Sequence, residues 1–366
     1  MNNNLIGKPA AKIISFYLPQ FHPIPENDEW WGKGFTEWTN TAKAKPRFPG
    51  HYQPHVPADL GFYDLRLPES RIAQAEMARQ YGIDAFCYYH YWFAGKELLE
   101  RPFKEVLASG EPDFPFCICW ANETWTGIWH GAPNRILIEQ TYPGEDDHRR
   151  HFEALLPAFT DRRYVKIDGK PLFAIYAPKQ LPDPKRTTDL WRKLAQDAGL
   201  TDLYFVGVTW SLGWHPTDDG FDAGIFQNLP TRRNWYSWSN PFKKVSRYIE
   251  RQFNMPTVHK YAKVIPYLLP EQLTENHIYP CVIPNWDNSP RSGVNGLALH
   301  GSTPELFRRH FRHALDLVKD RPPEQQIVFI KSWNEWAEGN HLEPDLRYGH
   351  AYLEAIREEL KQQNKL

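Results

Sequence analysis

Three carboxylates crowd the run Trp333-Asn334-Glu335-Trp336-Ala337-Glu338-Gly339-Asn340-His341-Leu342-Glu343-Pro344-Asp345. Glu335 and Glu338 stand three positions apart, and Trp333, Asn334 and Trp336 stand around them. Paired acids among indole rings suit acid/base work on a glycosidic bond: one carboxyl protonates the leaving oxygen, another works ionised, and flat rings stack on sugar faces. Glu335 and Glu338 are therefore the candidate catalytic pair, against the alternative of solvated loop acids. Glu343, directly before Pro344, reads as a supporting residue.

Other stretches carry similar residue types. Tyr17, Gln20, His22, Trp30 and Trp31 follow one another early, and Tyr88, His90 and Trp92 alternate in a second run. Trp120, Asn122, Glu123 and Trp125 form a third group, Trp210 stands alone, and Asn285, Trp286 and Asp287 form a fourth. All are candidate substrate-binding residues. Glu123 could be a catalytic acid or a hydrogen-bond acceptor for substrate; paired with Glu335 it offers a rival acid/nucleophile set. Asp287 could instead close an Asx-turn before Pro290, and the Trp residues could be core.

These groups need a scaffold, and the chain supplies a repeating one. Apolar runs predict strands at 11–17, 83–92, 116–120, 171–176, 203–208, 223–226, 279–283 and 327–330. Helices are predicted over 68–81, 97–108, 145–159, 185–198, 241–269 (broken near Pro256 and Pro266), 303–319 and 348–361. In the helix at 303–319, Thr303 is the N-cap, Pro304 the first residue, and Phe307, Phe311, Ala314, Leu315 and Val318 make one stripe. Continuously apolar strands belong to a parallel sheet buried on both faces. Eight such units predict an α/β fold, a (β/α)8 barrel with long βα loops, with a doubly wound open sheet as the alternative. One domain over residues 1–366 is expected. The candidate groups all follow strands, where barrel active sites lie.

Composition narrows the function. Aromatic residues make up 15% of the 366 residues, with 15 Trp, 18 Tyr and 21 Phe, and many Trp sit beside polar residues. The formal net charge of -1 gives no cause to expect nucleic acid as a partner. Cys87, Cys117, Cys119 and Cys281 read as buried thiols, since the Cys-x-Cys has no second pair. His51 and His55 are separated by Gln53-Pro54, and His148 and His151 fall on an expected solvent-facing helix, so neither pair predicts a metal site. The sequence has no phosphate-binding Gly-rich motif, no Asp-x-Asp and no apolar run of membrane-spanning length. Met1 to Lys8 lacks the character of a secretory signal, so the expected compartment is the cytoplasm. No cofactor is expected.

Several longer motifs resemble a known family. Phe16-Tyr-Leu-Pro-Gln-Phe-His22, Pro49-Gly-His-Tyr-Gln-Pro-His55, Asp59-Leu-Gly-Phe-Tyr-Asp64, Phe86-Cys-Tyr-Tyr-His-Tyr-Trp-Phe93, Cys119-Trp-Ala-Asn-Glu123, Asn285-Trp-Asp-Asn-Ser-Pro-Arg291 and Lys331 to Pro344 are similar to WbsX-type proteins. Those proteins are labelled glycosyltransferases of bacterial lipopolysaccharide and surface-polysaccharide clusters, and they resemble glycoside hydrolase family 99, endo-acting α-mannosidases and mannanases. The likeness runs over about residues 12–355. It implies a (β/α)8 barrel and an oligosaccharide or polysaccharide substrate. It also implies a retaining mechanism through a 1,2-anhydro sugar, with Glu338 as general acid/base and Glu335 at the sugar 2-hydroxyl. Glu338 should then have a raised pKa and Glu335 should be ionised. A glycosyltransferase and a non-catalytic glycan-binding protein are the alternatives. Where the WbsX pattern after Asn-Glu reads Asn-Trp-Thr-Arg-Arg-Trp-Asp, this chain reads Thr124-Trp-Thr-Gly-Ile-Trp-His130. The change at Gly127, Ile128 and His130 implies a different glycan preference.

Overall fold

The computed structural model describes residues 11–127, 132–230, 252–274 and 277–363. Eight parallel strands close on themselves: β1 (Lys12–Tyr17), β2 (Ala85–Phe93), β3 (Phe116–Trp120), β4 (Lys170–Ile175), β5 (Tyr204–Thr209), β6 (Ala223–Phe226), β7 (Ile278–Val282) and β8 (Ile327–Ile330). Each pairs with its neighbours in chain order. The ring shuts where β1 meets both β8 (Ile14 opposite Phe329) and β2 (Ile14 opposite Ala85). This is the (β/α)8 barrel, and the open-sheet alternative falls with the closure.

Burial explains the strands. All nine residues of β2 are buried, because one face fills the barrel and the other meets helices. Inside lie Cys87 and Tyr89, the latter stacked on Phe16 at 5.4 Å. Outside, Tyr88 meets Phe103 of the helix Arg101–Ser109 at 5.2 Å, and His90 meets His151 of the helix Glu145–Phe159 at 5.0 Å. In the helix Pro304–Val318, Thr303 accepts the Leu306 N–H and the predicted stripe is wholly buried. Deleting one such ring, as in Phe311→Ala, should cost about 3–5 kcal/mol.

Three expectations need correction. The helix expected over 97–108 does not start at Glu97. Lys96–Leu98 turns back as an antiparallel strand on β2, so the helix begins only at Arg101, with Pro102 in its first turn. The helix expected over 241–269 falls partly outside the described residues. Within them, Thr257–Lys260 is a strand paired with Leu297–His300, and the helix that follows it is Tyr261–Leu268. His148 and His151 do not face solvent. The three-residue spacing puts them on the inward stripe with Phe152 and Leu155, while Arg149 and Arg150 point out. Among the described residues no helix is long and apolar enough to cross a membrane.

Candidate active site

The loop after β8 is built to present carboxyls. The Asn334 side chain accepts the Leu18 N–H at 2.7 Å and donates to the Leu18 carbonyl at 3.0 Å, tying the end of β8 to that of β1. Asn122 makes the same clamp between β3 and β4, through the Ala177 N–H and carbonyl at 2.8 and 2.9 Å. Asn334–Glu335 then pairs antiparallel with Asn340–His341, and the Ser332 hydroxyl accepts the Glu335 N–H at 3.2 Å. Gly339, at φ 57°, closes this turn where a Cβ would stand 3.0 Å from the Asp287 Cβ. That close approach lets the Asp287 N–H donate to the Glu338 carbonyl at 2.6 Å.

A cleft of about 490 Å³ opens at the C-terminal end of the barrel, and Glu335 and Glu338 lie in its wall. The Lys331 ammonium donates to Glu335 Oε1 at 3.1 Å and to the Tyr89 hydroxyl at 2.9 Å. Arg291 donates to Glu338 Oε1 at 2.7 Å and to Glu37 Oε1 at 2.5 Å, and the Ala337 N–H also donates to Glu37 at 3.0 Å. Glu335 and Glu338 are within hydrogen-bond reach of each other. Burial, then the Glu335 charge, push Glu338 well above the usual carboxylate range, and this outweighs Arg291. Burial alone would lift Glu335 too, but Lys331, the Glu338 hydrogen bond and Arg291 hold it below its ordinary value. Charge makes the same point. Two cations, Lys331 and Arg291, face three buried carboxyls, so one carboxyl keeps a proton most cheaply. The directions of the two shifts, Glu338 up and Glu335 down, favour Glu338 as its holder.

Of the other predicted residues, Gln20, Trp31, Glu123, Trp125 and Trp286 also line the cleft. Burial raises Glu123, whose Oε1 lies 3.5 Å from the Gln180 amide. Tyr17, Tyr88, His90, Trp92 and Trp120 are not in its lining; they point outward between strands and helices. Tyr17 donates to Gln74 at 2.6 Å, His90 lies 2.8 Å from His151, and Trp92 and Trp120 pack against the His151 ring. His22 is buried against the Pro19 carbonyl, and Trp30 sits edge-on to Trp125. Asn122, Trp333, Asn334 and Trp336 are buried and hold the loops. Trp210 is 63% exposed and apart from the cleft. Asn285 and Asp287 line a separate small cavity, where Asp287 accepts from His51 and Gln53, both at 2.6 Å. Its Oδ1 also accepts the Ser289 N–H at 3.0 Å, so the Asx-turn reading holds for Asp287 as well.

Among the cleft residues missed are Glu37, Tyr89, Tyr91, Tyr176, Arg291 and Lys331. A usable signal existed for one. Lys331 continues the parity of Ile327 and Phe329 along the last strand. Ile128 and His130, expected to alter specificity, lie outside the described residues; Gly127 is buried in a strand paired with Ala132–Ile138.

Residues 13–356 match the family model described as Glycosyltransferase WbsX. The chain belongs to this family. The chain is also similar to Uncharacterized protein WxcX of Xanthomonas campestris pv. campestris strain B100, at 41% identity over 359 residues and 96% of this chain. The chain spans about half (50%) of that relative's length. Among solved structures, a glycoside hydrolase-like protein superposes with a TM-score of 0.60 at 17% identity, covering 96% of this chain and 94% of its own. The GH99 endo-alpha-mannosidase from Bacteroides thetaiotaomicron does so with a TM-score of 0.54 at 17% identity, covering 96% and 97%. At such identity these two likenesses concern the barrel fold.

Proposed function

We propose that this WbsX-family chain is a carbohydrate-active enzyme acting on a glycosidic linkage of a bacterial surface polysaccharide, with Glu338 as general acid/base and Glu335 as base at the sugar 2-hydroxyl. One observation carries the reading: two adjoining buried cleft carboxyls have unlike partners, Glu335 the Lys331 ammonium and Glu338 an Arg291 it shares with Glu37, and they shift in opposite directions, Glu335 down and Glu338 up. In the first step Glu335 takes the O2 proton, O2 attacks C1, the C1–O bond to the leaving group breaks, and Glu338 protonates the departing oxygen. In the second, Glu338 takes a proton from water, water opens the 1,2-anhydro ring at C1, and Glu335 returns the proton to O2. Two inversions at C1 give net retention. The charge moves from Glu335 to Glu338 and back. Lys331 and Arg291 stand at the two ends of that shuttle, so neither state buries an unpaired carboxylate. Trp31, Trp125 and Trp286 offer stacking faces for flanking sugars.

The test is a panel of defined oligosaccharides, with product anomers followed by NMR. Retained products with wild-type protein, and loss of turnover with preserved glycan binding in Glu338→Gln, are expected; wild-type rates in that variant overturn the assignment. The family's description favours a second reading, glycosyl transfer. It predicts that a nucleotide sugar raises the melting temperature and that the transferred sugar appears on an added acceptor rather than on water.

A further inference from the structure

Outside the cleft, His55, His341 and Asp345 come together so that one ligand atom of each lies within 4.8 Å of the others, and all three residues are buried. His55 arrives on the loop after β1, and the other two on the loop after β8. Those loops already run side by side: the Ala58 N–H donates to the Pro344 carbonyl and the Leu346 N–H to the Val56 carbonyl, both at 2.9 Å.

The side chains are aimed by their other atoms. His341 Nδ1 lies 2.9 Å from the Glu343 carbonyl oxygen, which can only accept, so Nδ1 carries the proton and Nε2 presents a lone pair. That lone pair faces His55 Nδ1 at 2.8 Å. Asp345 Oδ1 accepts the N–H groups of Arg347 and Tyr348 at 3.0 and 2.7 Å, which leaves Oδ2 turned toward His55 Nδ1 at 3.9 Å. An imidazole N–H given to a backbone carbonyl and a carboxylate fixed through its other oxygen are the supports that orient metal ligands. A cavity of about 60 Å³ borders all three residues, room enough for a completing water.

We propose that His55 Nδ1, His341 Nε2 and Asp345 Oδ2 bind a divalent transition cation of the zinc class, with water as the fourth ligand. The ligand set fits: two imidazole nitrogens and one carboxylate oxygen are a zinc set, and one open position is usual when the protein gives three. The distances nearly fit. Ligand atoms ~2.0–2.1 Å from a tetrahedral zinc stand about 3.3 Å apart, so the nitrogen pair opens by roughly half an ångström, and Asp345 closes on His55 by about as much and on His341 from a separation within 4.8 Å. The carboxylates of Asp345 and nearby Asp287 supply the negative charge against Arg347, which stacks on Tyr52 at 4.7 Å. The rival occupant is a single proton, a His55 N–H donated to His341. Because His341 pairs with Asn334 in the strand pair that carries Glu335, an ion here would brace the loop of the carboxyl pair from behind.

The experiment titrates chelator-stripped protein with zinc sulfate, reading zinc retained after gel filtration and the melting temperature. About one zinc per chain and a rise in Tm are expected for the wild type. Asp345→Asn keeps an oxygen for the two backbone N–H groups and removes the anionic ligand; His55→Gln removes a nitrogen. Each should weaken zinc retention by at least ~10–100-fold, the loss known for groups that merely support a ligand, while the metal-free Tm stays near that of stripped wild type. Cobalt titration should give the visible bands of a tetrahedral site in the wild type and lose them in either variant. The proposal fails if stripped wild type retains no stoichiometric zinc, or if both variants retain zinc as the wild type does. Catalysis by Glu335 and Glu338 stands or falls separately.

Discussion

Two carboxyl sites in one loop, eight residues or fewer apart, are both buried and yet electrostatically unlike. At Glu335 and Glu338 the partners are cations, Lys331 and Arg291, and one side opens on the cleft. At Glu343 the partners are neutral donors: the Tyr63 hydroxyl at 2.8 Å, the Gln74 amide at 2.6 Å and the Trp336 indole at 2.6 Å. Burial pushes Glu343 up to about 7, and neutral donors pull it back only partly. Burial pushes Glu335, Glu338 and Glu343 upward alike, and Glu335 alone of the three ends below its ordinary value, with the Lys331 charge as the largest opposing cause. The same chemical group therefore serves as a proton-transfer pair where charge is supplied, and as a tie between loops where it is not.

The comparison breaks most visibly at Glu338. Glu338→Gln should lower turnover by at least ~10³-fold, with glycan binding kept, whereas Glu343→Gln should leave the chemical step within about tenfold. Equal losses in both would erase the distinction between the sites. Glu343 should speak through stability instead. Its folded pKa of about 7 lies above the ordinary 4.5, so between those values the folded state binds more protons than the unfolded one. Its contribution is fully present below about pH 4.5 and is lost as pH rises to about 7, a swing of roughly 3 kcal/mol. Denaturant unfolding of wild type and Glu343→Gln across pH 4–8 should show that difference; a pH-independent gap would sink it.

Lys331 tests the cation rule with a smaller effect. The proposed mechanism needs Glu335 ionised and Glu338 protonated, so it predicts that activity falls below the lower apparent pKa of the pair and above the upper one. Lys331→Met leaves Glu335 buried without its closest positive charge. Its pKa should rise, the acid limb of the kcat/KM profile should move to higher pH, and the rate near pH 6 should fall by ~10–100-fold. Recovery as pH rises distinguishes this from general damage. An acid limb that stays in place would show that Arg291 alone sets the pair.

Much of this was legible in the residues, for physical reasons that also mark where legibility stopped. Residues 116–120, 223–226 and 327–330 read as strands because uninterrupted apolar runs have few other uses at that length. Glu335 and Glu338 stood out because acids rarely sit between Trp residues. What could not be read was which face of β2 looks inward. In Tyr88-Tyr89-His90-Tyr91-Trp92 both parities are aromatic and both are buried, so alternation leaves no polarity mark. Tyr88, His90 and Trp92 took the helix side; Tyr89 and Tyr91 reached the cleft. Arg291 and Glu37 were hidden differently, since their pairing links loops 254 residues apart in sequence.

Two tyrosines give the finest comparison between the carboxyl sites. Tyr89 accepts from Lys331 on the cation side, and Tyr63 donates to Glu343 on the neutral side. Changed to Phe, Tyr89 loses the bond from Lys331, while Tyr63 loses its bond to Glu343 and a longer one accepted from the Asn334 amide at 3.3 Å, so the two changes match in volume. Tyr63→Phe should cost about 1–2 kcal/mol of stability and leave kcat unchanged, because Glu343 keeps Gln74 and Trp336. Tyr89→Phe removes an acceptor from a buried ammonium. Lys331 then has Glu335 as its one remaining carboxylate acceptor, which should hold Glu335 more firmly ionised and make it a weaker base toward O2. A drop in kcat of about 3–10-fold, with the acid limb moved to lower pH, is the expected result. That shift is opposite in sign to the one from Lys331→Met. If Tyr89→Phe and Tyr63→Phe change stability alike and neither moves the pH profile, the Lys331 ammonium does not govern Glu335, and the two carboxyl sites differ in exposure rather than in charge.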